Sequence, residues 1–366
     1  MKIGIIDADL LGRKKHRFPN LASMKISGYY KQLGHKVELL ESYKQVENYD
    51  KVYISKVFTD TPVPNEILED VNVEYGGTGF YFDKAPNLPE EIEHSYPDYH
   101  LYDNFVNKQL KAGVKKSELK EYTDYSIGFL TRGCFRKCGF CVNQKYDKVT
   151  SASPLHEFYN SERKKICLLD DNFLGYGNWK PLLQDLIDTG KPFKFKQGLD
   201  ARVLTAEKCE LLFNAKYDSD ITFAFDDIAD YTVIEEKLKL IRKYTAKQCI
   251  FYVLCGFDKT GKYSKEFWLQ DIIDTFERIQ LIGSYGCLPY LMRFIKYSDS
   301  PYRGLYITIA RWLNQFSYFK KESLYEYVTV TDYNSGGRAS GRYLKEFTDL
   351  HPDLAERYFY TKYFFR

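Results

Sequence analysis

The sequence predicts an α/β fold, with parallel strands covered by helices, a βαβ unit at the start and further helices at the end. Three observations carry this. Between Ile127 and Phe294, six short apolar strand candidates alternate with amphipathic helical stretches, and that alternation builds a parallel sheet with its connections packed on the faces. Residues 1 to about 110 open with the same theme in a Rossmann-like arrangement. From Tyr302 onward the apolar spacing is helical.

In chain order, Lys2 to Asp7 reads as a strand and Asn20 to Leu33 as a helix stopped by Gly34, with strands at Lys36 to Leu40 and Lys51 to Ser55. The loop Tyr75-Gly76-Gly77-Thr78-Gly79-Phe80 has two readings. Its backbone N–H groups can cradle a phosphate or a large planar cofactor, or it is a plain glycine turn. Leu88 to Glu93 is expected to be a linker. The six later strands are Ile127 to Thr131, Ile166 to Asp170, Phe193 to Gln197, Ile221 to Phe225, Cys249 to Gly256 and Leu288 to Phe294. Helices fall at Trp179 to Asp188, Thr205 to Lys216, Val233 to Tyr244 and Phe267 to Ile282. Periodicity alone leaves both a barrel and an open doubly wound sheet available. Beyond Tyr302 come helices at Leu305 to Phe316 and Glu322 to Val330, a glycine-rich loop at Ser335-Gly336-Gly337-Arg338, and a basic aromatic tail ending at Arg366. Such a tail can stack on nucleobases, but without an extended basic stripe a packing role is preferred. The expected domains are 1–110, 111–300 and 301–366.

The 366 residues exceed the length of one ordinary domain of about 100 to 200. A net charge of +3 gives no support for a nucleic-acid or anionic-membrane partner. No window reaches the roughly 18 apolar residues of a membrane span, and the start lacks a signal-peptide pattern. A soluble, cytoplasmic protein is expected. Eight cysteines, five of them scattered, suit a reducing compartment better than a disulfide framework. The 33 Tyr and 26 Phe are dispersed, as core and interface mass would be.

The remaining three cysteines carry the chemistry. Cys134, Cys138 and Cys141 are spaced C-x3-C-x2-C just after the first strand of the alternating series. Three thiolates on one loop can hold three corners of a 4Fe-4S cube and leave one iron open. A closed zinc site needs four ligands, and no fourth cysteine or histidine follows at suitable spacing. Phe140 stands immediately before the last cysteine. In this run the sequence resembles the radical S-adenosylmethionine (SAM) superfamily, whose signature is the same spacing with an aromatic residue at that place. The resemblance implies that the three cysteines hold the cluster and that SAM chelates the open iron. Reductive cleavage of SAM then yields methionine and a 5'-deoxyadenosyl radical that abstracts hydrogen from substrate. It implies a partial (β/α)6 barrel core, with active residues at the C-terminal ends of its strands. It also implies an oxygen-labile, anaerobic setting and an electron donor such as flavodoxin or ferredoxin.

Strand ends supply the candidate cofactor contacts. Asp170, Asp171 and Asn172 close the second strand with groups that accept hydrogen bonds from an ammonium. In the family this position carries a Gly-Gly-Glu-like motif for the SAM amino group. Here the glycines are missing and the transfer is by position; a helix cap is the alternative. Gln197 ends the third strand, and the nearby Arg202 offers a planar fork for the SAM carboxylate or a partner for Asp200. Asp226, chosen over Asp227, falls where relatives place a ribose-binding acid. Gly256 would let backbone approach adenine. Met292 and Arg293 are candidate edges of the adenine or substrate pocket. Cys255 is read as a small buried hydrophobe before a hydrogen donor.

The N-terminal domain resembles that of cobalamin-dependent radical SAM enzymes, which keeps cobalamin open as a cofactor, although the D-x-H-x-x-G ligand motif of many of them is absent. The reading that results is a radical SAM enzyme acting on an unidentified small-molecule or peptide substrate. The alternatives are a cobalamin-dependent radical SAM methyltransferase and a non-catalytic iron-sulfur redox sensor. A methylthiotransferase is disfavoured because no cysteine precedes Cys134.

Overall fold

The structure, a computed structural model, describes residues 1–14, 16, 18–335 and 338–365. Gly336 and Gly337 of the expected glycine-rich loop, and Arg366 of the tail, lie outside the described residues. The chain forms two compact units, Met1–Lys196 and Gln197–Arg366. The division falls inside the 111–300 stretch expected to form one core.

The first unit opens with four parallel strands, β1 (Lys2–Asp7), β2 (Lys36–Leu39), β3 (Lys51–Ser55) and β4 (Val73–Gly76), in the order β2-β1-β3-β4. Ile3, Ile5 and Ile6 of β1 are fully buried, as a central parallel strand covered on both faces requires. Helix α1 (Leu21–Gln32) follows β1, and the Asn20 side chain caps it by accepting from the Ser23 N–H at 3.0 Å. The expected linker at 88–93 is not free chain: Glu90–Glu93 is a helical turn with Ile92 buried in the core beside Tyr99 and Tyr102. Apolar spacing of one residue per turn is too sparse to announce such a segment from sequence.

Then come β5 (Tyr125–Gly128), a two-residue antiparallel ladder of β6 (Thr131–Arg132) with β7 (Thr150–Ser151), β8 (Lys165–Leu168) and β9 (Phe193–Phe195). β5, β8 and β9 form a three-stranded parallel sheet in that order. The strand expected through Thr131 breaks after Gly128 because the N–H groups of Leu130 and Thr131 are taken by Asp170.

The second unit holds β10 (Ile221–Ala224), β11 (Cys249–Cys255) and β12 (Leu288–Arg293), again parallel and in sequence order. Leu199 bridges in parallel to Phe223. The connections are helices: α2 (Tyr231–Tyr244), with Ile234, Leu238 and Ile241 buried on one stripe, and α3 (Lys265–Ser284), capped by Ser264. Helix α4 (Arg303–Leu313) packs beyond β12, where Asn314 Oδ1 accepts from the Leu291 N–H at 2.8 Å. The aromatic tail folds back. Tyr363 is buried, and a Cβ on Gly283 would stand 2.2 Å from the Tyr363 carbonyl oxygen, so the close approach demands glycine there. No described helix is long and apolar enough to cross a membrane.

Candidate metal centre

The cysteines sit on an excursion from Gly133 to Val149, closed at its base by the pairs Thr131 with Ser151 and Arg132 with Thr150. Gly133 has φ +90°, and a Cβ there would lie 2.6 Å from the Lys148 carbonyl oxygen, so this turn accepts only glycine. Three consecutive residues after β8 hold the excursion. Asp170 accepts from the Leu130 N–H at 3.2 Å and from the N–H and hydroxyl of Thr131 at 2.7 Å each. Asp171 accepts from the Gly133 N–H at 2.8 Å and from Asn143 Nδ2 at 2.7 Å. Asn172 donates from Nδ2 to Cys134 Sγ at 3.3 Å.

Further donors aim at sulfur. The Arg136 N–H lies 3.3 Å from Cys134 Sγ and the Asn143 N–H 3.4 Å from Cys141 Sγ. Inside the loop, the Cys141 N–H donates to the Cys138 carbonyl at 2.9 Å, and Lys137 Nζ ties the carbonyls of Gln144 and Tyr146 at 2.8 and 2.6 Å. All three cysteines and Phe140 are half-buried. Burial pushes the Asp170 carboxyl up to about 7 against its three donors.

Half-buried thiols on a pinned loop, with N–H groups directed at sulfur, are what a protein supplies to an iron-sulfur cluster. Asn172 Oδ1 adds a second sign, being buried with no hydrogen-bond partner beside Cys134. The donor chemistry at Cys134, Cys138 and Cys141 is of the kind a cluster takes, although the three sulfurs are not drawn together as a ligand set. Among the described residues, no group of three or more His, Cys, Asp and Glu side chains is placed to hold a metal ion.

The N-terminal glycines fit a cofactor cradle less well. Gly77 has φ +107°, and a Cβ there would stand 2.2 Å from the Lys56 carbonyl oxygen; one on Gly79 would stand 2.9 Å from that of Phe58. Both glycines serve close packing on residues 56–58. The crevice between β1 and β3, where an open parallel sheet ordinarily takes its ligand, is bridged by Asp9. Its carboxylate accepts from the Val57 N–H at 2.7 Å and the Thr61 hydroxyl at 2.5 Å. Packing accounts for Gly77 and Gly79, while Gly76 faces open space.

In the second unit the candidates lie at or after strand C-terminal ends. The Arg202 fork is engaged by Asp200 at 2.7 and 3.2 Å and by Asp230 at 2.7 Å. Asp226 accepts from the Leu254 N–H at 3.2 Å, and burial raises its carboxyl to about 6. Buried Arg278 of α3 joins these strand ends through the carbonyls of Asp226 at 2.7 Å and Leu254 at 2.8 Å. Gly256, at φ +76°, donates its N–H to Asp271 at 2.8 Å. Met292 is half-buried and its carbonyl accepts from the Cys255 thiol at 3.5 Å. Arg293 is exposed and lies over the Tyr297 ring, and Gln197 is exposed.

No family model and no curated protein matches the chain. Among solved structures it is similar to the cobalamin-dependent S-adenosylmethionine radical enzyme OxsB. With the aqua-cobalamin form it shares 16% identity over 80% of this chain and 49% of that one, at a TM-score of 0.36. With the form that also binds S-adenosylmethionine it shares 14% identity over 98% of this chain and 56% of that one, at 0.35. The chain spans about half the length of these structures.

The C-x3-C-x2-C spacing pointed to the cysteines, but Thr131, Gly133 and Asn143, which complete the pinning of the loop, were not singled out from sequence. Their signal was local: a glycine abutting Cys134 and an amide two residues past Cys141.

Proposed function

We propose that the chain is a radical SAM enzyme whose cluster is held by Cys134, Cys138 and Cys141. The observation that carries the reading is the pinned C-x3-C-x2-C loop with amide donors directed at its sulfurs. When bound, a three-thiolate 4Fe-4S cluster supplies a low-potential electron for reductive cleavage of SAM, giving methionine and a 5'-deoxyadenosyl radical for hydrogen abstraction. This chain's own residues do the positioning. Asp170 and Asp171 fix the two ends of the turn into Cys134, and Asn143 fixes the exit from Cys141. The N–H donors at sulfur stabilise thiolate character. Asn172 Oδ1 is proposed as an acceptor for the SAM ammonium.

Anaerobic reconstitution with iron and sulfide tests the reading. The wild-type chain should bind four iron per chain, by the definition of the cluster, and show a SAM-dependent change in the electron paramagnetic resonance of its reduced state. Loss of iron in Cys134→Ala, Cys138→Ala and Cys141→Ala supports the assignment, and full retention in the triple variant refutes it.

A further inference from the structure

Two cysteines outside the cluster loop meet at the N-terminal end of the second unit's sheet. β11 and β12 run parallel in the register Ile250 with Leu288, so the preceding residues, Cys249 and Cys287, stand side by side. Both are buried, at 1% and 0% exposure, and the Cys249 thiol donates to the Lys247 carbonyl at 3.9 Å. Parallel neighbours lie about 4.7 to 4.9 Å apart, inside the roughly 4.4 to 6.8 Å Cα separation a disulfide accepts.

Arg242 of α2 makes the pair asymmetric. Its Nη2 donates to Cys287 Sγ at 2.9 Å, while Nε donates to the Tyr285 carbonyl at 2.6 Å and Nη1 to that of Lys247 at 2.8 Å. The guanidinium is thus anchored to the turn leading into each cysteine and cannot swing away without breaking both. The neighbouring Cys249 thiol, with the Arg242 charge behind, holds the Cys287 thiol below its ordinary range, whereas the Cys287 sulfur and burial raise Cys249. The guanidinium on its sulfur marks Cys287 as the thiol of the pair on which thiolate character is favoured. The other second-unit cysteines lack this arrangement: burial raises Cys209 to about 11, and burial raises Cys255 as well.

We propose that Cys249 and Cys287 form a reversible dithiol site that reacts with peroxide. The Cys287 thiolate attacks one oxygen of hydrogen peroxide; an S–O bond forms, the O–O bond breaks, hydroxide leaves, and Cys287 becomes a sulfenic acid. The Cys249 sulfur then attacks the Cys287 sulfur; an S–S bond forms, the S–O bond breaks, and the Cys249 proton leaves with the departing hydroxide as water. Two electrons pass from the two thiols to peroxide, and an external dithiol returns them. Both sulfurs are buried, so the reaction requires a local opening of the two turns, through which peroxide, nearly as small as water, would pass. β11 spans seven residues, which puts this site roughly 20 Å along the strand from Gly256.

The test treats the reduced full-length chain with a small excess of hydrogen peroxide, quenches in acid, alkylates remaining thiols and maps peptides by mass spectrometry. The expected product is a Cys249–Cys287 linked peptide that disappears on reduction with dithiothreitol. Cys249→Ser should arrest at a sulfenic acid on Cys287, captured by dimedone, whereas Cys287→Ser should leave Cys249 a thiol. Arg242→Gln should slow linkage several-fold, because the positive charge beside the Cys287 sulfur is removed. Cys287 still alkylated as a thiol in the treated wild type, Cys287 linked to Cys134, Cys138 or Cys141, or dimedone on Cys249 would each overturn the proposal.

Discussion

Asn172 Nδ2 lies 3.3 Å from Cys134 Sγ while the Oδ1 of the same amide is buried without a hydrogen-bond partner. One end of the side chain serves the Cys134 sulfur and the other leaves an acceptor waiting. Asn172→Leu removes both with little change of volume. A hydrogen bond to cluster sulfur favours the reduced, more negative state, so its loss should lower the cluster potential. The shift expected is about 20 to 65 mV, from a net hydrogen-bond contribution of about 0.5 to 1.5 kcal/mol at 59 mV per tenfold. A redox titration followed by electron paramagnetic resonance measures it, and an unmoved potential with iron retained would remove Asn172 from the cluster's environment.

Gly133→Ala places a Cβ 2.6 Å from the Lys148 carbonyl oxygen in a backbone with φ +90°. The change should cost about 1 to 3 kcal/mol of stability and reduce iron uptake, because the strained turn leads directly into Cys134. Denaturant unfolding and iron analysis on the same sample check both parts. Wild-type values for both would show that the loop tolerates a side chain there.

Asp170 supplies the pH dependence. Its folded carboxyl sits at about 7, above the roughly 3.9 of an unfolded aspartate, so the native state holds a proton that the unfolded chain releases. Its contribution to stability is fully present below about pH 4 and is lost as pH rises through about 7. Asp170→Asn cannot titrate. The stability of wild type relative to Asp170→Asn should therefore fall between pH 5 and 8, by thermal unfolding at each pH; a difference that grows with pH would contradict the assignment.

The glycine loop of the N-terminal domain packs on residues 56–58, and Asp9 bridges the crevice between β1 and β3. The chain offered hydroxocobalamin and then desalted should retain no stoichiometric corrin by visible absorption. Stoichiometric retention would show that the domain opens to a ligand.

Local pattern made the regular elements legible. Lys2–Asp7, Lys51–Ser55 and Trp179–Asp188 appear with the bounds their periodicity implied, and Asn20 caps the helix it precedes. The cysteine spacing marked the loop. What stayed hidden depends on distant chain. The ladder of Thr131–Arg132 with Thr150–Ser151 is two residues long and has no period to read. Asp170 and Asp171 were placed at a strand end, yet their partners at Thr131 and Gly133 are 39 and 38 residues away. The meeting of Cys249 with Cys287 follows from strand register alone. Arg202 had two readings from sequence, and its fork is filled by Asp200 and Asp230.

Asp226→Ala should weaken SAM binding by about 1 to 3 kcal/mol if its buried carboxylate accepts from the cofactor. Equilibrium dialysis of the reconstituted chain against labelled SAM gives the answer, and an unchanged dissociation constant would exclude the residue from the site.

The most direct test is product analysis of the anaerobically reconstituted full chain given SAM and a strong reductant, with 5'-deoxyadenosine quantified by liquid chromatography and mass spectrometry. The account predicts 5'-deoxyadenosine and methionine from wild type and none from Cys134→Ala. A wild-type chain that carries its full cluster yet leaves SAM intact would contradict it and leave an iron-sulfur module without this chemistry.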